Sequence, residues 1–222
     1  MTEKAEHLSV SLPDQKNYDV SYGLAVKLAS EKLRSFDNLD EQCRRSESVC
    51  HISGSRRSIL VKYLNSNYQV SWPDIEITLE NSHSQVELRD KILILDYLVK
   101  AKGTPLSGNP IAFQELSGVS PYLPSFSNRA VKPLITYFGN SPEGLLNAAT
   151  YLGGMKTGYG DTSVTIPAFN RVPITLIIWK GDEEFPANAN ILFDNTIMDY
   201  LSAEDIIVLC QTIVWKLIKV MQ

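Results

Sequence analysis

The chain has 222 residues, of which 44% are hydrophobic and 21% charged, the composition of an ordinary globular protein. Its net charge of −4 gives no basic footprint for nucleic acid, and no apolar run reaches the roughly 18 residues of a membrane span. Three cysteines are too few for a disulfide framework. Because free thiols fit a reducing interior, we expect a cytoplasmic protein that binds neither nucleic acid nor membrane.

The N-terminal part of the chain predicts a helix followed by antiparallel strands. Residues 1–16 are polar and are expected to form a disordered tail, with 17–222 forming a single domain. Apolar residues from Tyr18 to Phe36 recur at helical spacing. Four short segments are predicted as strands: 49–52, 59–63, 68–72 and 75–79. The last three are so close together that they can pair only antiparallel.

A buried central helix and a long loop are predicted next. Ser84 and Glu87 have the spacing of a capping box, and the helix behind them is apolar nearly all round up to Gly103. The segment 104–127 is rich in Pro, Gly and Ser, with a short strand predicted at 111–115. A loop of this length in a compact domain is typically functional or wrongly assigned.

The C-terminal half predicts helices around a strand pair. Pro133 limits a helix to a start near Val131 or kinks it, and a second helix is predicted from Pro142 to the glycines at 153–154. Strands at 163–169 and 172–179 are joined by a tight turn, and Ser202 with Asp205 caps a long final helix.

These two strands differ in where we place them in the sheet. The second is apolar on both faces and is predicted to be central, while Pro167 is predicted to move the first toward an edge. The fold class is therefore predicted as α+β. A mainly antiparallel sheet would be packed by the buried central helix and by the N- and C-terminal helices.

An acidic cluster marks the end of the central strand. Asp182, Glu183 and Glu184 follow Trp179, and a hairpin would bring Asp161 beside Asp182, whereas a strand through 191–193 carries Asp194 toward the far end. Such carboxylates bind a hard cation or an amine, or else remain solvated or structural charges. Their spacing matches no calcium loop, and we assign no metal.

A second candidate site combines aromatic residues with a cation. Tyr122, Phe126 and Trp179 can form a flat apolar wall, beside which Arg129, followed by Lys132, can hold a carboxylate or phosphate. Packing of the long loop on the core explains the same aromatic residues equally well.

Several other chemistries are disfavoured by spacing. Cys50 and His51 are adjacent in a predicted strand, so their side chains point to opposite faces and cannot form a dyad. With Cys43 they are one ligand short of a closed zinc site. The glycine-rich segment 153–161 leads into a strand and lacks the phosphate-binding pattern.

Several stretches together resemble an uncharacterised family of anaerobic bacteria and archaea. They are 93–98, 105–108, 122–126 and the block 179–194, which contains Gly-Asp-Glu-Glu-Phe-Pro and Leu-Phe-Asp, with 201–205 and the helix behind it. The resemblance implies a domain of unknown function. Some relatives carry it behind a four-cysteine iron–sulfur module like that of corrinoid proteins. This chain has too few cysteines for such a cluster, so a corrinoid or iron–sulfur protein is implied only as a partner.

Three functional hypotheses follow. The leading one is a non-catalytic small-molecule or cofactor-binding accessory domain, of unknown cofactor, in anaerobic one-carbon or corrinoid metabolism. Its ligand would lie between the 104–127 loop and the acidic strand end. The alternatives are a metal- or carboxylate-dependent enzyme that uses Asp161, Asp182 and Glu184, and a protein–protein interaction module that uses the exposed face of the last helix.

Overall fold

The computed structural model describes residues 15–221 except 54, 55 and 83. The part of the expected tail before residue 15 lies outside the described residues, and the first helix already begins at Gln15. The α-helices are α1 (Gln15–Arg34), α2 (Leu39–Arg45), α3 (Leu88–Lys100), α4 (Leu123–Phe126), α5 (Lys132–Phe138), α6 (Pro142–Tyr151) and α7 (Ala203–Val220).

The strands form two antiparallel sheets, so the predicted α+β class is confirmed. Their bounds are β1 (Val49–Ser53), β2 (Arg56–Tyr63), β3 (Ser66–Trp72), β4 (Ile77–Leu79), β5 (Pro110–Ala112), β6 (Met155–Thr157), β7 (Thr162–Phe169), β8 (Val172–Trp179) and β9 (Asn188–Asp194). The first sheet has the order β1-β2-β3-β4, and the second has the order β5-β9-β8-β7-β6. The strand β8 is central in its sheet, as its apolar sequence predicts.

Aromatic stacking and one backbone hydrogen bond join the two sheets. Tyr63 at the end of β2 stacks on Phe169 at the end of β7, with ring centroids 4.9 Å apart. Phe169 in turn stacks on Tyr97 of α3 at 4.1 Å. Beside them the Leu64 N–H donates to the Ala168 carbonyl at 3.0 Å. The buried residues of both sheets and of the helices consequently form one continuous core.

The final helix is held inside this core. Its N-terminus has the predicted capping box, in which Ser202 Oγ accepts from the Asp205 N–H and the Asp205 carboxylate accepts from the Ser202 N–H at 2.8 Å. Residues from Ile206 to Val214 are all buried. The α7 helix therefore offers little exposed surface for a partner before its last turns.

The predicted capping box of α3 is wrong. The N-cap is Glu87, whose backbone is extended and whose side chain makes no capping hydrogen bond, and the helix begins at Leu88. Val86 is 8% exposed. An extended segment buries Val86, whereas the predicted box would have placed it in the first helical turn. Hydrophobic burial therefore overrides the local capping signal here.

Pro167 does not lie in an edge strand, because β6 pairs with the outer side of β7. However, β6 covers only residues 163–165 of β7, so Pro167 lies beyond its reach. A missing N–H at that position breaks no ladder hydrogen bond to β6. Pro167 can therefore occupy a strand that is not at the edge, because the neighbouring strand β6 is too short to reach it.

Candidate functional site

An open groove of about 430 Å³ lies between the start of β9 and the helical segment 123–131. It brings together Phe126 and Trp179, two of the predicted ligand-binding residues. Its lining residues are Gln114, Leu123, Phe126, Ser127, Val131, Trp179, Asn188, Ala189 and Asn190. The volume falls within the roughly 300–1,000 Å³ typical of small-molecule sites.

The two aromatic side chains occupy different depths of this groove. Phe126 is 5% exposed and stacks on Phe113 with ring centroids 4.1 Å apart, so it forms part of the floor. Trp179 is 39% exposed and forms the rim. Its ring lies against Gly160, where an added Cβ would come within 3.3 Å of Trp179 Cε2. Gly160 thus leaves the space in which the indole sits.

Two of the polar side chains that line the groove, Asn188 and Asn190, lie on the open edge of β9. The strand β5 pairs with β9 only from Leu192 to Asp194, so within the described chain residues 188–191 have no strand on that side. Asn188 and Asn190 each accept a hydrogen bond from the backbone N–H of the following residue, at 2.8 and 2.9 Å. Among the described residues, no acceptor takes a hydrogen bond from either amide nitrogen. Two donors consequently remain available at the groove.

The helical segment beside the groove continues without a break from α4 through Pro133 into α5. Residues Ser127–Val131 form a π segment between α4 and α5, in which the Lys132 N–H bonds to the Ser127 carbonyl. Pro133 has no N–H for the carbonyl of Arg129, and its ring crowds that carbonyl in an α-helix. The wider π turn accommodates the proline without ending the helix.

Arg129, the predicted anion-binding residue, is engaged elsewhere. Its Nε donates to Gln211 Oε1 at 3.0 Å and its Nη1 to Glu204 Oε1 at 2.9 Å, both on α7. The side chain is 19% exposed and does not line the groove. Tyr122, 38% exposed at the end of a short 3₁₀ turn, is also outside the lining.

Most of the predicted acidic cluster is in or near the β8–β9 loop, where two carboxylates cap backbone groups. Asp161 accepts from the Lys180 N–H at 2.8 Å. Asp182 accepts from the N–H groups of Glu184 and Phe185 at 2.9 and 2.7 Å, which lowers its pKa. Glu183 and Glu184 are exposed. A second groove, of about 580 Å³, is lined in part by Asp182 and Glu183.

Asp194 lies at the opposite end of β9, where it organises the chain around it. Its carboxylate accepts from the N–H groups of Ser107, Gly108 and Thr196 at 3.0, 2.7 and 3.0 Å. It also accepts from the hydroxyls of Ser107 and Thr196 at 3.0 and 2.7 Å. Partial burial acts to raise its pKa, but these hydrogen bonds outweigh burial and lower the pKa to about 2.

The described residues contain no group of three or more His, Cys, Asp and Glu side chains that could hold a metal ion. Cys50 packs against the core while His51 is exposed, as expected for adjacent positions of a strand. Within the same part of the chain, no helix is long and apolar enough to cross a membrane.

The fold and site define an α+β domain with a neutral groove at a sheet edge. The chain belongs to the family described as "Domain of unknown function (DUF3786)", whose model matches residues 41–216. This match confirms membership of an uncharacterised family, and it includes both grooves but not α1. No curated protein and no solved structure matches the chain.

Sequence reasoning missed the amides that flank the two aromatic residues. Asn188 and Asn190 alternate with Ala189 and Ile191, and this two-residue period would have extended the predicted strand back to Asn188. The third amide, Gln114, lies within the strand predicted at 111–115, but the observed strand ends at Ala112 and Gln114 belongs to a 3₁₀ helix that begins at Phe113. Only the folded chain brings it to the groove.

Proposed function

We propose that this protein is a non-catalytic binding domain whose ligand lies in the groove between β9 and the 123–131 segment. The observation that carries the proposal is the composition of that groove. Two aromatic rings and three amide side chains converge there, and none of the described lining residues is ionisable. An apolar cleft with a few directed polar groups is the usual form of a small-molecule site.

The lining favours a flat, uncharged ligand face that carries hydrogen-bond acceptors. The indole of Trp179 offers a surface for stacking, and the free amide nitrogens of Asn188 and Asn190 are donors. A carboxylate or phosphate would find no cation in the groove, because the guanidinium of Arg129 is paired with Glu204 and Gln211. Neutral carbonyl or amide groups fit these donors better.

The family resemblance supplies the metabolic setting of the proposal. It implies anaerobic one-carbon or corrinoid metabolism and a corrinoid or iron–sulfur protein as partner. A corrinoid is a flat ring that carries neutral amide side chains, and such groups suit amide donors beside an indole. The three cysteines are free, which supports a reducing, cytoplasmic setting. We therefore place the protein, as one domain, in that compartment.

The test begins with protein purified without oxygen. Native mass spectrometry and a visible spectrum would identify a retained cofactor, and added cobalamin or riboflavin would then be titrated by isothermal titration calorimetry, whose signal does not depend on Trp179. We expect saturable binding that Trp179→Ala weakens at least about tenfold, the scale of one lost stacking contact. Unchanged affinity of Trp179→Ala for every ligand that binds would contradict the proposal.

A matched variant separates this groove from its neighbour. Phe185 is 68% exposed on the same β8–β9 connection but lines the second groove, so Phe185→Ala should leave binding unchanged. Asn190→Asp retains the oxygen that accepts from the Ile191 N–H and removes the amide donor. It should weaken binding of a ligand with acceptor groups without altering the melting temperature.

A protein-interaction function is a second candidate, favoured by the exposure of Phe185, whose side chain is 68% accessible to solvent. Asp182 holds the loop in a tight turn, with its N–H bonded to the Phe185 carbonyl at 2.9 Å. A large, exposed apolar side chain that directly follows three acidic residues suits a partner with a basic, apolar pocket. Phe185→Ala would then lose a co-purifying protein that Trp179→Ala retains.

A further inference from the structure

One ammonium group joins two carboxylates where α3 and α7 meet. The Lys100 Nζ donates to Asp96 Oδ2 at 2.9 Å and also to the carboxylate of Asp205. Asp96 and Lys100 lie one turn apart on α3, and Asp205 lies in the first turn of α7. The side chains of Asp96 and Asp205 are only 16% and 11% exposed. Two negative charges therefore share one positive charge where water offers little solvation.

The two carboxylates differ in the number of donors that they receive. Asp205 accepts from the Ser202 N–H at 2.8 Å and the Ser202 hydroxyl at 2.6 Å, in addition to Lys100. Among the described residues, Lys100 is the one donor to Asp96. A largely buried carboxylate with a single donor is poorly stabilised as an anion. Asp96 is therefore the member of the pair that retains a proton.

The electrostatics of the cluster agree with this assignment. Burial and the neighbouring Asp205 carboxylate raise the pKa of Asp96 to about 7, against the opposing effect of Lys100. Burial also acts to raise the pKa of Asp205, but the contacts with Lys100, Asp96 and Ser202 outweigh burial and lower that pKa. Two carboxylates on the same ammonium titrate as a coupled pair, and the unequal donors place the last proton on Asp96.

The other charged groups on the elements around Asp96 are paired in other contacts, exposed or at the far end of α3. The pairs are Arg129 with Glu204, Lys216 with Asp90, Lys102 with Asp199, Arg57 with Asp40, and Glu41 with Arg44 and Arg45. The exposed side chains are Lys27, Glu31, Lys32 and Arg34 on α1 and Lys219 on α7, while Arg89 and Lys91 lie in the first turn of α3. Lys100 and Asp205 therefore control the charge of Asp96.

We propose that Asp96, Lys100 and Asp205 form a pH-sensitive contact that holds the start of α7 while Asp96 is protonated and loosens it once that proton is lost. With the proton in place, the ammonium balances one carboxylate. Without it, two carboxylates repel each other and compete for the same ammonium. The turn that responds is the one capped by Ser202. The proposal is independent of the ligand groove, which none of the three residues lines.

The effect on stability has a definite sign. The pKa of Asp96 rises from an ordinary value of 3.8 to about 7 on folding. Between pH ~4 and ~7 the folded protein consequently holds a proton that the unfolded chain has lost, so the unfolding free energy should fall as the pH rises through this window. Asp96→Asn cannot ionise and should lack this part of the decline. Asp37→Asn, at an exposed position, should retain it. Denaturant midpoints measured across the window test this, and an equal decline in wild type and Asp96→Asn would overturn the proposal.

Nuclear magnetic resonance of the wild-type protein reads the proton directly and does not require a variant that folds. The side-chain carboxyl carbon of Asp96 should titrate with a midpoint near pH ~7, about three pH units above that of an ordinary aspartate. A midpoint below pH ~5 would show that Asp96 does not hold the proton and would overturn the proposal.

Amide hydrogen exchange shows whether loss of the proton loosens α7. The Ile206 N–H donates to the Ser202 carbonyl at 3.0 Å in the first turn, whereas Ile213 lies in the buried middle of the helix. After correction for intrinsic exchange, protection of Ile206 relative to Ile213 should fall at least about tenfold between pH ~5 and ~8. The ratio should stay constant in Asp96→Asn and fall in Asp37→Asn. A constant ratio in wild type would show that the contact does not control the start of α7.

Discussion

The two ends of β9 show how the same side of one strand can serve different purposes. Asn188, Asn190 and Asp194 occupy alternate positions and therefore share a face. At the C-terminal end, the Asp194 carboxylate accepts five hydrogen bonds from residues 107, 108 and 196. At the N-terminal end, the amide oxygens accept from N–H groups of their own strand, and among the described residues the amide nitrogens, which belong to side chains lining the groove, have no acceptor.

Charged side chains on this sheet do not mark the binding site that we propose. The ionised side chain is committed to local structure, because a carboxylate in a partly buried position needs donors. The neutral amides keep donors free without a comparable desolvation cost. Mutations at the two ends should accordingly affect stability at one end and binding at the other.

Asp194→Ala should give the largest effect. Removal of the carboxylate leaves the N–H groups of Ser107, Gly108 and Thr196 without their acceptor, and we expect a loss of about 3 kcal/mol in unfolding free energy. Chemical denaturation measures it. Asp161→Ala, which removes an exposed carboxylate with one backbone hydrogen bond, should lose less than about 1 kcal/mol. Equal losses of unfolding free energy in the two variants would show that Asp194 has no special structural role.

Arg129→Ala should give an intermediate effect on stability and none on the groove. The substitution removes hydrogen bonds to α7 and leaves the buried Gln211 without its partner, so we expect a loss of about 1–2 kcal/mol. Ligand affinity measured by calorimetry should remain that of wild type. If the Arg129→Ala variant is fully folded but binds the ligand more weakly than wild type, Arg129 contributes to the binding site.

Acid should destabilise the Asp194 end selectively. The pKa of Asp194 falls from an ordinary value of 3.8 to about 2 on folding. The unfolded chain therefore binds the proton first, and the stabilisation present above pH ~4 is lost as the pH falls toward ~2. The unfolding free energy of wild type should decline more steeply across this window than that of Asp194→Asn. Parallel curves would contradict the role given to this carboxylate.

Asn188→Asp should have the smallest effect on stability. Asn188 is exposed, and the substitution retains the oxygen that accepts from the Ala189 N–H. The free energy of unfolding should therefore change by less than about 0.5 kcal/mol. The affinity of the groove ligand should nevertheless fall, since one amide donor is lost. A stability loss comparable with that of Asp194→Ala would show that both ends are structural.

Much of the fold could be predicted because local signals and burial agree there. The β7–β8 hairpin follows from apolar strands around a tight turn at 170–171, and α7 follows from Ser202, Asp205 and the apolar positions behind them. The α3 start was mispredicted because burial of Val86 overrides a local cap. The helix α2 was missed, although Asn38 caps it by accepting from the Glu41 N–H at 3.0 Å.

The candidate site could be predicted only in part. Phe126 and Trp179 line the same groove, as predicted, because the apolar loop residue and the end of the strand pack at the same edge of the core. Arg129 lies three residues from Phe126, but its side chain points toward α7 instead of the groove. The wider turn of the π segment sets that direction, and the sequence around Pro133 does not predict a π segment. Asp194 was expected at the far end of the sheet, but its donors at 107 and 108 come from a distant loop.

The amides of β9 also bear on how the protein avoids joining other chains. An uncovered strand edge presents main-chain donors that can recruit a strand from another molecule and begin aggregation. Here the N–H groups of Ala189 and Ile191 are already occupied by the side-chain oxygens of Asn188 and Asn190. The oxygen of each amide thus occupies a main-chain donor at the strand edge, while its nitrogen remains available to the ligand that we propose. Binding at this groove would therefore not require an open strand edge that promotes polymerisation.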